Sequence, residues 1–292
     1  MSAVAAESAL IAAKPRGAQF RRFARRNPTI VAGGTILAII TALAFLAPLF
    51  AGDAITMQPA LRLRPPSETN WFGTDHLGRD VFARTVYGAQ VSLFVGISVA
   101  AMSIAGGLFI GLMSGYFRRV DAVVMRLMDG LMAIPAILLA IALVALTRAS
   151  VTAVIVAITI PEIPRVVRLV RAVVLSVREA PYVEAAVAGG TPTWKILLRH
   201  ILPNTIAPLI VQATYICASA ILIEAALSFL GAGTPPEIPT WGNMIAQSRL
   251  FLSRAPWTIF CPGIALALVV LAVNLLGDGL RDRLDPRLAR RM

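Results

Sequence analysis

The sequence predicts an all-α integral membrane protein with six transmembrane helices, and its composition and the grouping of its apolar residues support this fold class. Apolar residues make up 58% of the 292 residues and charged residues only 14%, whereas soluble domains carry roughly 25% charged residues. The mean hydropathy is +0.77. The apolar residues form long runs separated by polar segments, which is typical of helices that cross a bilayer.

Six runs approach the length of about 20 apolar residues that a spanning helix needs. They cover residues 28–50, 89–114, 127–147, 151–174, 206–230 and 259–276. The first run is longer than the roughly 7 to 15 apolar residues of a secretory signal, so we expect it to be retained. The predicted organisation is an N-terminal tail at 1–27, a first span at 28–50, an external loop at 51–88, a core at 89–278 and a C-terminal tail at 279–292.

The basic residues predict the orientation in the membrane. One side holds few of the 27 lysines and arginines, namely Arg62, Arg64, Arg79, Arg84, Arg148, Arg249 and Arg254. The others lie on the opposite side, and an excess of basic residues marks the cytoplasmic side. Both termini and the segment 178–204 are therefore expected in the cytoplasm. A nucleic-acid partner is not expected, because it would need the basic residues clustered on one soluble face.

The fourth run ends in arginines at every third position, Arg165, Arg168 and Arg171. This spacing is also found in voltage sensors, whose arginines are spread through the membrane. Here the arginines begin only where the apolar run ends. We therefore expect a helix that leaves the bilayer and continues as a stalk.

The second run carries a row of glycines at Gly107, Gly111 and Gly115. Steps of four residues place them on one face of a helix. Small residues in such a row let a second helix approach closely, so we expect this face to be a helix-packing surface.

The segment 178–204, which we call the 178–204 loop, contains the stretch YVEAAVAGGTPTWKILLRHILPN. Its pattern predicts a short helix over 182–188, an end in which Gly189 and Gly190 take the left-handed conformation, and a cap at Thr191. A second helix is expected from Thr193 to about Leu202, with a break at Pro203 before the fifth span. A simple connection would need only a few polar residues, so we expect this two-helix element to have a function of its own.

Several motifs carry a resemblance to a known family. The pattern of Glu184, Ala185, Ala186, Gly190, Leu202 and Pro203 resembles the EAA loop of permease subunits of ATP-binding-cassette (ABC) importers. The external stretch GTDHLGRD, the stretch EAALSFLGAGTPPEIPTWGNMI and the ending NLLGDGLRDRLDPR are similar to C-type permeases of dipeptide, oligopeptide and nickel importers. His200 and Gly189 differ from the broader pattern, and His200 matches the peptide and nickel branch.

The resemblance implies a type I ABC importer permease fold in a bacterial inner membrane. It implies four kinds of partner, which are a second homologous permease, two cytoplasmic ATP-binding subunits, an external substrate-binding protein and the membrane lipid. The family's EAA residues, Glu184, Ala185, Ala186, Gly190, Leu202 and Pro203, would contact the ATPases. The cargo implied is a short peptide, with nickel or another small solute left open.

Two sets of polar residues are candidates for further roles. Glu224 interrupts an apolar run, and an intramembrane carboxylate is a functional candidate; a structural hydrogen-bonding role and contact with cargo both remain open. Asp75, Arg79 and Asp80 would form either a local salt-bridge cluster or a contact for the binding protein. Asp129 is expected to be a packing or helix-end residue.

The sequence holds no pattern for catalysis or for a bound cofactor. Neither Lys14 nor Lys195 follows a phosphate-binding glycine pattern, so another chain would have to hydrolyse ATP. Cys217 and Cys261 lie in apolar runs, and with only His76 and His200 we expect no metal site. The alternative function is an ion-coupled secondary transporter, which would show repeated halves and an ion-coupling carboxylate.

Overall fold

Long helices dominate the computed structural model, which describes residues 24–147 and 149–284. In chain order they are α1 (Pro28–Phe50), α2 (Val81–Tyr116), α3 (Arg118–Ala133), α4 (Ala136–Ala145), α5 (Val151–Arg178), α6 (Pro181–Ala188), α7 (Thr193–Ile196), α8 (Leu202–Phe229), α9 (Trp241–Ser248) and α10 (Trp257–Leu284). Within the described ranges there is no β-strand, only an isolated bridge between Thr74 and Asp80.

Four helical stretches are long and apolar enough to cross a membrane, and a bent pair of helices makes a fifth. The four are α1, α2, α8 together with the turns before it, and α10. The helix α5 has 28 residues, which is long enough for a span, but it carries Glu162 and, in its second half, four arginines, so its composition does not fit that of a span. That α5 is the sixth span remains a prediction.

The span expected over 127–147 is wrong as a single helix. The structure has α3 and α4 there, bent by 89° at Ile134 and Pro135. Ile134 takes an extended conformation with ψ of 129°. Proline disfavours the helical conformation in the residue before it, which explains why the helix ends there.

Two helix ends also differ from the expected bounds. The external loop ends at Asp80 rather than at residue 88, because the Asp80 side chain accepts a hydrogen bond from the Phe82 amide at 2.8 Å and starts α2 early. At the other end, α10 continues to Leu284. Residues 1–23 and 285–292 of the predicted tails lie outside the described residues, as does residue 148, which leaves out Lys14, Arg16, Arg21, Arg22, Arg148, Arg287, Arg290 and Arg291.

The helices α2 and α5 form the most extensive helix contact of the described chain. The glycine row of α2 lies against a valine row of α5, formed by Val166, Val170 and Val174. A Cβ atom at Gly111 would lie 2.7 Å from the Val170 Cβ, and one at Gly115 would lie 2.6 Å from the Val174 Cβ. The absence of side chains on this face therefore sets the distance between the two helices.

The buried residues form two main clusters. One joins α2, α5 and α8 through residues such as Val95, Val170 and Ile216, and extends to the 178–204 loop. The other joins α1, α2, α8 and α10 around Trp241 of α9. The 178–204 loop is thus packed onto the core of the helices that it connects.

Candidate functional site

The 178–204 loop begins with a helix whose start is set by Pro181. Ala180 is extended, with ψ of 139°, and Pro181 is the first residue of α6. Proline suits this position, since its fixed φ matches a helix and its missing N–H would have no intrahelical acceptor. The structure thus places a helix at Pro181–Ala188, where the sequence predicts 182–188.

The elbow after α6 is a Schellman turn at Gly190. Gly190 has φ of +75°. Its amide donates to the Val187 carbonyl at 3.0 Å, and the Thr191 amide donates to the Ala186 carbonyl at 3.0 Å. Both bonds satisfy carbonyls at the end of the helix, and the left-handed residue between them is one that glycine adopts at little cost.

Two details of the predicted elbow are wrong. Gly189 has φ of −74° and is not left-handed, because one such residue is enough to close the turn. Thr191 does not cap the second helix, since the residue that directly precedes α7 is Pro192 and no side chain accepts a capping hydrogen bond there.

Pro203 does not break the chain's helical path. A π-helical turn at Leu197–Ile201 joins α7 to α8, and the Leu202 amide donates to the Leu197 carbonyl, five residues back. The wider turn shifts the hydrogen-bond register just before Pro203, whose ring would otherwise meet the carbonyl of the residue four positions earlier.

One face of the 178–204 loop is buried and anchors it to the rest of the protein. Val183, Ile196, Leu197 and Ile201 have exposed fractions between 0% and 6% and belong to the cluster around α2, α5 and α8. Arg178 adds a tether, since its Nη1 donates to the Gly115 carbonyl at 3.3 Å. A movement of the loop would therefore be carried to α2, α5 and α8.

The opposite face of the loop is exposed. Glu184 and Ala185 are exposed and Ala186 is half-buried, while at the start of α8 Leu202 is half-buried and Pro203 exposed. Among the described residues, Glu184 has no side-chain hydrogen bond or ion pair, so its carboxylate is available to a partner.

Sequence reasoning missed the apolar part of this exposed face. Tyr182, Val187, Trp194 and Leu198 have exposed fractions of 49% to 60%. Together with Glu184 they form what we call the exposed face of the 178–204 loop. The signal was the presence of a tryptophan and a tyrosine in a polar connection, and apolar groups exposed in this way are typical of an interaction surface.

Arginines of α5 hold α3 in place. Arg168 pairs with Asp129 at 2.6 Å, and Arg171 pairs with Asp121 at 2.5 Å. Asp129 is thus an ion-pair residue and not only a packing residue. These two ion pairs give Arg168 and Arg171 a structural role. No contact of these two arginines supports the voltage-sensor alternative.

The external motif GTDHLGRD forms a buried ion-pair cluster. Asp75 accepts from Arg79 Nε at 2.6 Å and lies 3.9 Å from Arg84 Nε. Arg79 Nη2 also donates to Gln247 Oε1 of α9 at 2.7 Å. Asp80 caps α2 and is not part of the cluster. Since Asp75 and Arg79 are 6% and 3% exposed, the cluster is an internal support of the loop.

The neighbouring His76 is partly enclosed. Its ring stacks on Phe251 with 5.4 Å between the ring centroids. Burial lowers the pKa of His76 below its usual value, because it disfavours the charged imidazolium. His76 is therefore a neutral packing residue of the external loop at neutral pH.

Glu224 lies inside the protein. It is 0% exposed, and its Oε1 accepts a hydrogen bond from Ser228 Oγ at 2.9 Å, one turn later in α8. A cavity of about 310 Å³ lies beyond Ser228, lined by residues that include Phe229, Asn243 and Arg249, and Glu224 is not among them. The geometry thus places Glu224 behind the cavity wall.

The described residues contain no group of three His, Cys, Asp or Glu side chains that could hold a metal ion. Cys217 and Cys261 are partly buried and unpaired with one another.

Comparisons with known proteins agree on one family. Residues 107–290 match the family described as binding-protein-dependent transport system inner membrane component. Residues 16–66 match the N-terminal TM domain of oligopeptide transport permease C. The first match alone covers more than half of the chain.

Named relatives match over nearly the whole length. A probable peptide ABC transporter permease protein, y4tQ, from Sinorhizobium fredii is 60% identical, covering 92% of this chain and 93% of that protein. The dipeptide transport system permease protein DppC of Alkalihalophilus pseudofirmus is 42% identical over 90% and 88% of the two chains. The oligopeptide transport system permease protein OppC of Bacillus subtilis is 36% identical over 91% and 88%.

A solved structure shows the same fold. It is the MetNI methionine ABC transporter in an inward-facing conformation, with a TM-score of 0.55, 20% identity, and coverage of 69% of this chain and 96% of that one. The all-helical architecture is thus the type I ABC importer permease fold. The chain belongs to the family of binding-protein-dependent transport system inner membrane components and is a permease subunit of an ABC importer.

Proposed function

We propose that this chain forms half of a translocation pathway for short peptides and that ATPases drive it through the 178–204 loop. The observation that carries the cargo assignment is the 60% identity, along nearly the whole chain, to a probable peptide ABC transporter permease protein. The dipeptide and oligopeptide permeases named above support the same class of cargo.

The proposed partners are chosen to match the exposed surfaces of this chain. Its exposed loop face combines apolar side chains with the free carboxylate of Glu184, which suits a groove on a cytoplasmic ATP-binding subunit. We assign one such ATPase to each of two homologous permease subunits, this chain being one of them. An external substrate-binding protein would deliver the peptide, and membrane lipid would cover the remaining apolar surface.

The orientation follows from the same proposal. ATP is a cytoplasmic substrate, so the 178–204 loop has to face the cytoplasm, and both termini then lie on that side. The excess of lysine and arginine in the loops on this side supports the assignment.

The loop is suited to transmit motion in both directions. Its buried face packs onto α5 and α8, and its exposed face would sit in the ATPase. When the two ATPases close on ATP, each would carry a loop with it and tilt the attached helices. A coupling of this kind needs an element that both sites displace, and the 178–204 loop is connected to both.

Peptide uptake in cells tests the proposal. In a strain that lacks this chain and in its complemented counterpart, we expect uptake of a labelled tripeptide only in the complemented strain. The uptake should stop when cellular ATP is depleted with the membrane potential intact, and continue when the potential is collapsed with ATP maintained. The reverse dependence would indicate an ion-coupled secondary transporter. Uptake of Ni²⁺ without uptake of peptide would overturn the cargo assignment.

A further inference from the structure

The third arginine of α5, Arg165, differs from the other two. Arg168 and Arg171 pair with aspartates of α3. Arg165 instead pairs within its own helix, where its Nη1 donates to both carboxylate oxygens of Glu162 at 3.1 and 3.2 Å. Its role is therefore not to hold α3.

The pair has one buried and one exposed member. The Glu162 side chain is 0% exposed, whereas the Arg165 side chain is 41% exposed. Only Nη1 contacts the carboxylate, so the rest of the guanidinium group points away from Glu162 and can donate further hydrogen bonds. The helix thus presents a cation on its surface while the matching anion stays inside.

The pair lies at the middle of a long helix. Arg165 is about 21 Å from the start of α5 and about 20 Å from its end, at a rise of 1.5 Å per residue. If α5 enters the bilayer at its first residue, the hydrocarbon core of roughly 30 Å ends about 20 residues later, so Arg165 lies in the last third of the core, just before the expected stalk. A charged side chain at that depth usually faces the bundle interior or water, because contact with lipid is costly.

A groove lies one helical turn beyond Arg165 along α5, and Arg165 itself is not among its lining residues. Leu169, one turn later on the same face of the helix, lines a cavity of about 440 Å³. Pro208, Val211 and Gln212 of α8 and Arg281 of α10 also line it. The groove therefore has apolar walls, an amide and a second cation, which is a suitable lining for a solute of mixed character.

We propose that Arg165 lines the translocation pathway and contacts the carboxylate groups of a peptide in transit. The inference rests on the proposed function, since it assumes that α5 and α8 line half of a peptide pathway. Arg165 offers the N–H groups that do not contact Glu162, and the groove one turn beyond it, lined by Leu169 and Arg281, would be the next part of the path towards the cytoplasm.

Glu162 makes this contact weak enough for transport. A pathway needs a site that a solute enters and then leaves, so strong binding would slow release. The carboxylate of Glu162 neutralises part of the Arg165 charge through the two contacts of Nη1. A peptide carboxylate therefore competes with an anion that is always present.

The test uses the complete importer, with its second permease, ATPases and binding protein, in proteoliposomes. Uptake of Ala-Glu-Ala is compared with that of Ala-Gln-Ala, which has the same length and lacks the side-chain charge. In Arg165→Gln we expect the ratio of acidic to neutral uptake to fall about tenfold relative to the unmodified complex, which corresponds to about 1.4 kcal/mol. The selectivity of the binding protein cancels because the same binding protein is used throughout.

Two further variants complete the test. Glu162→Gln frees the charge of Arg165, so the acidic peptide should show a lower KM and a lower maximal rate. The double variant Glu162→Gln with Arg165→Gln leaves no buried unpaired anion, and should show the same loss of selectivity as Arg165→Gln even if the single variant assembles poorly. Arg119→Gln, which removes an exposed arginine of α3, is the matched control and should leave the ratio unchanged.

Three outcomes would overturn the inference. One is an equal loss of acidic and neutral uptake in Arg165→Gln and in the double variant. Another is loss of the second permease from the purified complex of both variants, which would assign Arg165 to the subunit interface. The third is uptake of both peptides by Arg165→Gln at the unmodified rate. If the unmodified complex transported neither peptide, the proposed function itself would fail, and this result is distinct from the other three.

Discussion

Replacing Gly190 with valine is expected to reduce peptide uptake about 5- to 30-fold while the protein remains in the membrane. Gly190 has φ of +75°, and an added Cβ atom would meet nothing within 4 Å. The penalty is therefore one of backbone conformation, about 1 to 2 kcal/mol for an ordinary side chain. An energy of this size lowers the ratio of the correct to the opened elbow 5- to 30-fold, and uptake falls by up to the same factor.

The elbow matters because it sets the angle between α6 and the segment that carries Trp194. If the Schellman turn opens, Glu184 and Trp194 can no longer fit one groove of the ATPase together. The measurement is uptake and ATPase co-purification from the same membranes, with permease abundance determined by immunoblot. Near-normal uptake in Gly190→Val would show that the elbow is only a linker.

Two neighbouring variants make the comparison specific. Gly190→Asn should retain much of the uptake, because asparagine tolerates the left-handed conformation better than other residues with a Cβ atom. Gly189→Ala should have little effect, since Gly189 has φ of −74°. Equal losses in all three variants would mean that side-chain volume, and not backbone conformation, is the cause.

Replacing Asp75 with alanine is expected to cost about 3 to 5 kcal/mol of folding stability. The change would leave the buried guanidinium groups of Arg79 and Arg84 without their anion, and removal of one partner of a buried ion pair costs about this much. It would also remove the acceptor for the Leu77 and Arg79 amides at 2.8 and 2.9 Å. Thermal unfolding of the purified protein and its abundance in membranes measure the effect.

Two controls separate the ion-pair cluster from the rest of the external loop. Asp80→Ala removes a helix cap and should cost only about 1 kcal/mol. Glu68→Gln changes an exposed residue and should leave stability unchanged. If Asp75→Ala unfolded at the same temperature as Glu68→Gln, the cluster would not support the loop, and a direct role in contact with the binding protein would become the better explanation.

The features of the fold that could be predicted from the sequence are those that depend on neighbouring residues. The apolar runs located the long helices, the glycine row located the face on which α2 packs against α5, and Pro181 and Gly190 located the ends of α6. Each of these features follows from a property of a few neighbouring residues, namely their apolarity, their size or the φ angle that they favour.

The features that depend on distant residues could not be predicted in this way. Arg79 bonds to Gln247, which is 168 positions later in the chain. Asp129 gains its role from Arg168, which lies on another helix.

The position of a proline was the least reliable predictor of where a helix ends. The helix breaks at Pro135 but continues through Pro161 and Pro164 of α5. At Pro203 a π-helical turn absorbs the lost hydrogen bond. Whether a proline ends a helix thus depends on the packing and hydrogen bonding of the preceding turn, and these are set by the whole fold.

The most direct test of the coupling role is a photo-crosslink from the exposed face of the 178–204 loop. A benzophenone amino acid would replace Trp194, which is 60% exposed, and Phe45 of α1, which is 84% exposed, would serve as the lipid-facing control. After irradiation of intact cells, the product from position 194 should contain an ATP-binding subunit, and the product from position 45 should not. A crosslink from position 194 only to lipid or to the external binding protein would contradict the assignment of this loop to the ATPase.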